Sequence, residues 1–322
     1  MQFHEREAET MINTAGTTPS ANNAATRAIN AAPSGLSDCI AELVTGGSVE
    51  MSAHNAADAA ALGELLPAGT KVYVNHLPRH SLTDTLSALE AVHAAGLEPV
   101  PHVAARRIAS HSELEAFVRR AVNNAGVRKV LLIGGDDPKP AGPFVDSVAL
   151  LASGILANCG VREIGIAGYP EGHARISHVA LEKAIQDKLV LAADQGLGAY
   201  VVTQFSFAPA RVIEYCAELT RLAPSVPVYV GMAGPADTGT LLRYAQRCGV
   251  SASLRALRAQ GMGLVRLVTH TDPEEQLMAL AHHCLARSSC NVVGAHFFSF
   301  GGAARTAEWM NRAIVGSPLP LP

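Results

Sequence analysis

Two adjacent carboxylates, Asp136 and Asp137, close the stretch Lys129-Val-Leu-Leu-Ile-Gly-Gly-Asp-Asp-Pro138. The aliphatic run suits a strand buried on both faces, and Gly134 and Gly135 leave only backbone at its end. Core packing gives no reason for two acids at the mouth of a buried strand. Asp137, set before a proline, reads as a turn residue, whereas Asp136 reads as functional. A second acid, Glu50, lies in another strand-like run, Ser48-Val-Glu-Met51. Asn75 with His76, His102, Tyr169 with His173, Gln204 and Ser299 also fall at strand-like ends. Glu50 and Asp136 are expected to project into an apolar bowl, where desolvation raises a carboxyl pKa and permits general-acid chemistry near neutral pH. His102, His173 and Glu50 are metal-ligand types, but their spacing is nonlocal and forms no H-x-x-x-H pair, so an organic cofactor ranks above a metal. No strand-end cysteine and no serine elbow offers a nucleophile.

These side chains need a scaffold that sends many strands to one end. Short aliphatic runs alternate with Ala/Leu-rich stretches along most of the chain. Strands are expected at Ser48–Met51, Lys71–Asn75, Glu98–Val103, from Lys129, then at Glu163–Ala167, Ala199–Thr203, Val226–Val230 and Ala295–Phe300. Helices are expected at Asn55–Leu66, Leu82–Ala95, Ser112–Ala125 with Ser112 as N-cap, and Phe144–Asn158. Further helices are expected at Ser177–Gln195, Pro209–Arg221, Asp237–Arg247, Ser251–Gln260, Glu274–Arg287 and Arg305–Arg312. Eight strand–helix units with short connections predict an α/β fold closed as a (β/α)8 TIM barrel, with chemistry at the C-terminal strand ends. A doubly wound open sheet is the weaker choice, because neither G-x-G-x-x-G after the first strand nor G-x-x-x-x-G-K-[ST] occurs. All the expected strands but the seventh deliver a polar or ionisable side chain to one rim. Residues 1–35 lack an amphipathic period and are expected to form a flexible arm, with 36–322 a single catalytic domain.

Bulk composition narrows the function classes. Of the 322 residues 48% are hydrophobic and 5% aromatic, so the interior must be mostly aliphatic, as buried parallel strands require. A formal charge of -3 shows no basic excess and argues against nucleic acid or anionic membranes as partners. No apolar run is long enough to span a bilayer, and no signal-peptide h-region is present. Six cysteines without C-x-x-C spacing predict reduced thiols and a cytoplasmic setting.

Four pieces, one per consecutive strand, carry a resemblance. Pro101-His102, Gly135-Asp136, Tyr169-Pro-Glu-Gly-His173 and Thr203-Gln204-Phe205 together resemble methylenetetrahydrofolate reductase, in order and spacing, from about Ser48 to Phe300. The resemblance implies an FAD-containing (β/α)8 barrel interconverting 5,10-methylenetetrahydrofolate and 5-methyltetrahydrofolate, usually with electrons from NAD(P)H by ping-pong transfer. It makes Glu50, in Ser48-Val49-Glu50, the general acid that helps open the folate's imidazolidine ring. Asp136 is placed beside the flavin and the pterin amino edge, and Gln204 where it binds pterin or helps position the flavin. Asn75, His102, Gly134, Gly135, Asp136, Tyr169 and His173 match cofactor-contact positions, with Glu182 near a ribose-binding acid and Lys188 near a pyrophosphate-binding base. A homo-oligomer is also implied.

The departures from that pattern matter as well. The family's second-strand threonine is Asn75, and the arginine before Gly-Asp is Gly134. The first strand continues as Met51-Ser-Ala-His54, and the end of the eighth reads Phe298-Ser-Phe-Gly-Gly302, so a substrate-binding arginine is missing unless Arg305 replaces it. Arg106 and Arg107 are alternative partners for a folate tail. A nicotinamide-stacking aromatic is expected opposite Thr238 or its neighbours, where none is found. These losses predict a flavin- and folate-handling oxidoreductase whose nicotinamide step is weakened or replaced. The alternatives are a barrel lyase or aldolase using rim carboxylates, and a non-catalytic flavin or folate binder.

Overall fold

Strands of this chain are short and buried on both sides, so each must be covered by a helix outside and by neighbours within. The computed structural model describes residues 35–76, 81–250, 272–287 and 290–316. Eight parallel strands pair in sequence order and close into a barrel: β1 Ser48–Ser52, β2 Lys71–Asn75, β3 Glu98–Ala104, β4 Lys129–Ile133, β5 Glu163–Gly168, β6 Gly198–Thr203, β7 Val228–Ala233 and β8 Val292–Phe298. Around them lie α1 Leu36–Thr45, α2 Asp58–Leu65, α3 Leu82–Ala94, α4 His111–Ala125, α5 Ser147–Ala152, α6 Ile155–Asn158, α7 His178–Asp194, α8 Pro209–Leu222, α9 Thr238–Arg247, α10 Glu274–Leu285 and α11 Ala303–Ile314. The α/β class and the (β/α)8 closure expected from the sequence are both present. Residues 1–34, holding nearly all of the expected arm, and the expected helix Ser251–Gln260 lie outside the described residues.

Strand parity sorts the side chains into two environments. Val49, Met51, Val72, Val74, Val130, Leu132, Ile164 and Ile166 point outward into the aliphatic layer beneath the helices. The alternate positions fill the barrel. At its base Lys129 pairs with Glu163 at 2.5 Å and Glu98 at 3.6 Å, while the Lys71 Nζ donates to the Gly46 carbonyl. Above that, Tyr73, Val100, Leu131, Tyr200 and Val202 form a separate inner cluster, in which the Tyr73 hydroxyl donates to that of Tyr200 at 3.0 Å. The interior is therefore plugged below, and only its top layer, toward the C-terminal strand ends, can meet a ligand.

Local departures from expectation have local causes. Ser110, not Ser112, caps α4: its extended backbone lets Oγ accept from the Glu113 N–H, and the Ser112 hydroxyl lies against it at 2.9 Å. The expected Phe144–Asn158 helix is two short ones, because Gly154 adopts φ 71° between them. β7 begins at Val228, after Pro227, which has no N–H for a ladder, and it extends to Ala233. β8 runs Val292–Phe298, three residues earlier at its start than expected, and Phe300 falls in the turn beyond it. α2, α10 and α11 shift by a few residues, and α1 adds a helix ahead of the first strand.

Two glycines give a paired test of this packing. A Cβ on Gly231 would overlap the Thr203 carbonyl and approach the Phe298 ring at 2.8 Å, whereas one on Gly134 would meet nothing within 4 Å. Gly231→Ala should cost about 2–4 kcal/mol, because rigid backbone cannot yield. Gly134→Ala should unfold within a degree or two of wild type. Thermal denaturation of both variants checks this.

Candidate active site

The top layer of the barrel gathers four polar side chains from four strands. Parity directs Glu50, Asn75, His102 and His296 inward from β1, β2, β3 and β8. Glu50 is 9% exposed, His102 8% and His296 fully buried. One carboxylate oxygen, Oε1, lies 3.5 Å from Nε2 of His102 and 3.5 Å from Nε2 of His296. At that separation the contacts are electrostatic rather than well-formed hydrogen bonds. The opposite nitrogen of His296, Nδ1, is 2.8 Å from the Ser48 hydroxyl. If Ser48 donates there, the imidazole proton sits on Nε2, facing the carboxylate. Ser299, just beyond β8, donates to the Glu50 backbone carbonyl at 2.6 Å and ties β8 to the peptide that carries the acid.

The electrostatics of this nest correct one expectation. Burial alone would push the Glu50 carboxyl up. The His296 ring, the nearby His102 and the Asn75 amide outweigh burial and hold it below the ordinary carboxylate value. Glu50 is therefore a carboxylate near neutral pH in the ligand-free site, not the raised acid that an apolar bowl alone would produce. His102 is driven down to about 4, mainly by burial, with Glu50 opposing and His296 and His76 assisting. The Glu50–His102 contact thus joins a carboxylate to a neutral imidazole.

Asp136 requires a second correction. Its side chain is 87% exposed, because β4 ends at Ile133 and two glycines carry the chain out to the rim. There its Oδ1 accepts from Arg175 Nη2 at 2.7 Å. Glu50 and Asp136 nonetheless belong to the same end of the barrel. The Cys248 thiol, just after α9, is pushed to about 11 first by burial and then by Glu50, with Asp136 adding to it against Arg247. Asp137 pairs with Arg107, whose Nε donates to it at 2.7 Å and whose Nη1 donates to the His76 carbonyl at 2.6 Å. Arg107 is thereby a structural clamp rather than a free partner for a folate tail. Arg106 donates to the Pro138 carbonyl and packs beside Gly135, in the loop that follows β4. Arg305 is exposed in the first turn of α11.

The other expected residues reach the rim in different states. Tyr169 and His173 meet edge to face at 5.2 Å, and His173 Nδ1 accepts from the Arg175 N–H. The Gln204 side-chain carbonyl accepts from the Phe205 N–H at 3.1 Å. Glu182 and Lys188 do not come together. Glu182 lines a shallow groove between α7 and α8 with Tyr169, Tyr215 and Leu222. Lys188 is 6% exposed, with Asp146, the N-cap of α5, acting on it, and burial lowers its pKa to about 8. Six residues of helix turn the two side chains to different faces. Among the described residues no group of three or more His, Cys, Asp or Glu side chains is arranged to hold a metal, and no helix is long and apolar enough to cross a membrane.

Two features escaped the sequence reading. His296 is the first, hidden within an apolar strand; its in-phase spacing with Phe298 was the available signal. The second is an aromatic wall. Phe205 packs against Phe298 and Phe300 at 5.4 and 4.9 Å, and Tyr244 stacks on Phe300 at 4.1 Å with an interplanar angle of 15°. Tyr244 lies six residues after Thr238 on the same helix, α9.

The His102 shift has a signed consequence. Its folded pKa lies below the ordinary 6.5, so the neutral ring stabilises the protein above pH 6.5, and that stability is lost as pH falls through about 4. The amount is about 3 kcal/mol at most. Glu50 acts in the same sense below its ordinary 4.5. His102→Gln should therefore show a smaller drop in unfolding temperature between pH 7 and pH 5 than wild type; an equal drop would place the titration elsewhere.

Comparison with known proteins gives this geometry a context. Among solved structures, a Yersinia pestis DHPS with a pterine-sulfa conjugate matches at 12% identity and TM-score 0.44, over 85% of this chain and 95% of that one. The dihydropteroate synthase of Thermus thermophilus matches at 14% and 0.41, over 81% and 89%. The 3-dehydroquinate dehydratase of Aquifex aeolicus matches at 14% and 0.37, over 62% and 85%. Likeness this distant carries no argument about function. The model of one family, methylenetetrahydrofolate reductase, matches residues 62–256, a span that contains Asn75, His102, Asp136, Tyr169, His173 and Gln204 and leaves Glu50 and His296 outside it. With more than half of its length matched, and with the strand-end residues of that span at one barrel mouth, the chain belongs to the methylenetetrahydrofolate reductase family.

Proposed function

We propose that the protein is a flavin-dependent oxidoreductase interconverting 5,10-methylenetetrahydrofolate and 5-methyltetrahydrofolate. The observation that carries the reading is the Glu50 carboxylate, walled in by His102, His296 and Asn75 at the C-terminal mouth of the barrel. FAD fits the residues present. Asn75 Oδ1 is buried at the mouth without a hydrogen-bond partner, His102 presents a neutral imidazole beside it, and Gly134 borders open space. Such donors and acceptors suit a planar ring edged with N–H and carbonyl groups. In this reading Asn75, His102, Gly134, Gly135, Asp136, Tyr169 and His173 hold the cofactor, whereas Glu182 and Lys188 cannot share one face of it. When bound, FAD supplies the reversible two-electron chemistry.

The chain's own residues handle folate and protons. Asp136, with Oδ1 held by Arg175, has Oδ2 left to accept pterin N–H groups, and Gln204, whose Oε1 is taken by the Phe205 N–H, has its amide nitrogen to donate. Glu50 delivers a proton to the folate nitrogen whose bond to the methylene carbon breaks. Ligands covering the mouth would exclude water and strengthen burial, already the largest influence on Glu50, so that its pKa rises when the site is filled. Tyr244 and the Phe300 ring give a nicotinamide donor an aromatic face, so a weakened or replaced donor step now rests on the altered loop after β8 rather than on a missing platform.

Anaerobic half-reactions test this. With the flavin reduced, turnover of methylenetetrahydrofolate should slow as pH rises, because the acid must be protonated. Glu50→Gln should retain flavin, lose that limb and slow the step by roughly 10²–10⁴-fold. A Glu50→Gln variant equal to wild type would leave a folate or flavin binder as the better account. Rapid flavin reduction by micromolar NADH would eliminate the weakened-donor idea alone.

A further inference from the structure

Far from the mouth, four of the six cysteines converge at the N-terminal end of β8. Cys39 of α1 and Cys216 of α8 are buried there, and Cys39 donates its S–H to the Ala281 carbonyl. Cys284, at the end of α10, and Cys290, just before β8, are both partly exposed, with their sulfurs 3.5 Å apart. The position of Cys290 is fixed by its neighbour. Asn291 accepts from Thr220 Oγ1 at 2.7 Å and donates to the Val226 carbonyl at 2.8 Å, while its own carbonyl accepts from the Val228 N–H. Two accessible thiols are thus held nearly at bonding range by the ends of a helix and a strand, with no role in the barrel mouth.

We propose that Cys284 and Cys290 form an oxidant-reactive dithiol site that closes reversibly to a disulfide, with a hydroperoxide as the co-reactant. Cys290 is the attacking group. The Cys284 S–H, the Val292 N–H and Arg287 lower its pKa against burial, while the Cys284 thiol is pushed up by the same partnership. The Cys290 thiolate displaces hydroxide from the peroxide O–O bond and becomes a sulfenic acid, oxidised by two electrons as the peroxide is reduced. The Cys284 sulfur then attacks that sulfur, forming S–S as water leaves with its proton and the sulfenic oxygen. Cys39 and Cys216, buried and with raised pKa values, stay as thiols.

Native full-length protein treated with stoichiometric hydrogen peroxide, alkylated and mapped without reduction, tests this. The expected result is a Cys284–Cys290 cross-linked peptide, a loss of two titratable thiols, and recovery of both with dithiothreitol. Cys284→Ser should instead trap a dimedone-reactive sulfenic acid on Cys290, and Cys290→Ser should give no bridge. Six freely alkylated thiols after peroxide, a bridge involving Cys39 or Cys216, or irreversible oxidation of Cys290 in the wild type would overturn the proposal. Because the site lies at the opposite end of β8 from His296 and Glu50, either outcome leaves the folate reading independent.

Discussion

The mouth of this barrel depends on holding one carboxylate charged where little water reaches it. Moving such a group out of water costs several kcal/mol, and neutralisation is the usual escape. Glu50 escapes otherwise, because two imidazoles and an amide face it from β2, β3 and β8. None of them can be placed by β1 itself. Closure of the sheet brings β8 beside β1, pairs Ser48 with His296, and sets the histidine between a hydroxyl below and the carboxylate above. Barrel closure and the charge on Glu50 are one constraint seen twice.

The same logic separates the two acids. Glu50 sits inside, where protonation is coupled to whatever covers it. Asp136 sits three residues beyond the end of β4, in solvent, where an arginine can hold one oxygen without a large desolvation cost. The mouth thus carries two carboxylates of different character, an inner one set by its buried neighbours and an outer one paired with Arg175 in solvent. The wall of Phe205, Phe298, Phe300 and Tyr244 adds an apolar side to the mouth, and the aromatic plug of Tyr73 and Tyr200 closes its floor.

Much of this was legible in the sequence, for identifiable reasons. Buried parallel strands must be apolar on both faces, so runs such as Lys71-Val-Tyr-Val-Asn75 gave both ends of β2, and the polar residue after each run marked the rim. Boundaries failed where a neighbour decides them: Ser110 and Ser112 are equivalent in the chain until one hydroxyl finds the Glu113 N–H. The shift of β8 hid His296, because a histidine between an alanine and a phenylalanine reads as core until parity is known. Glu50 was placed at the mouth by its position in the run, yet the sign of its pKa shift was beyond reach, since the imidazole that lowers it most, His296, meets it only when β8 closes against β1. Asp136 misled for the converse reason, because its exposure depends on a loop whose path no periodicity records.

The most direct test is the visible spectrum of the purified full-length chain, before and after FAD is added and the unbound cofactor removed. The account predicts a yellow protein retaining about one flavin per chain. A chain that stays colourless and retains no flavin would contradict it, leaving Glu50 and its histidines to some other chemistry.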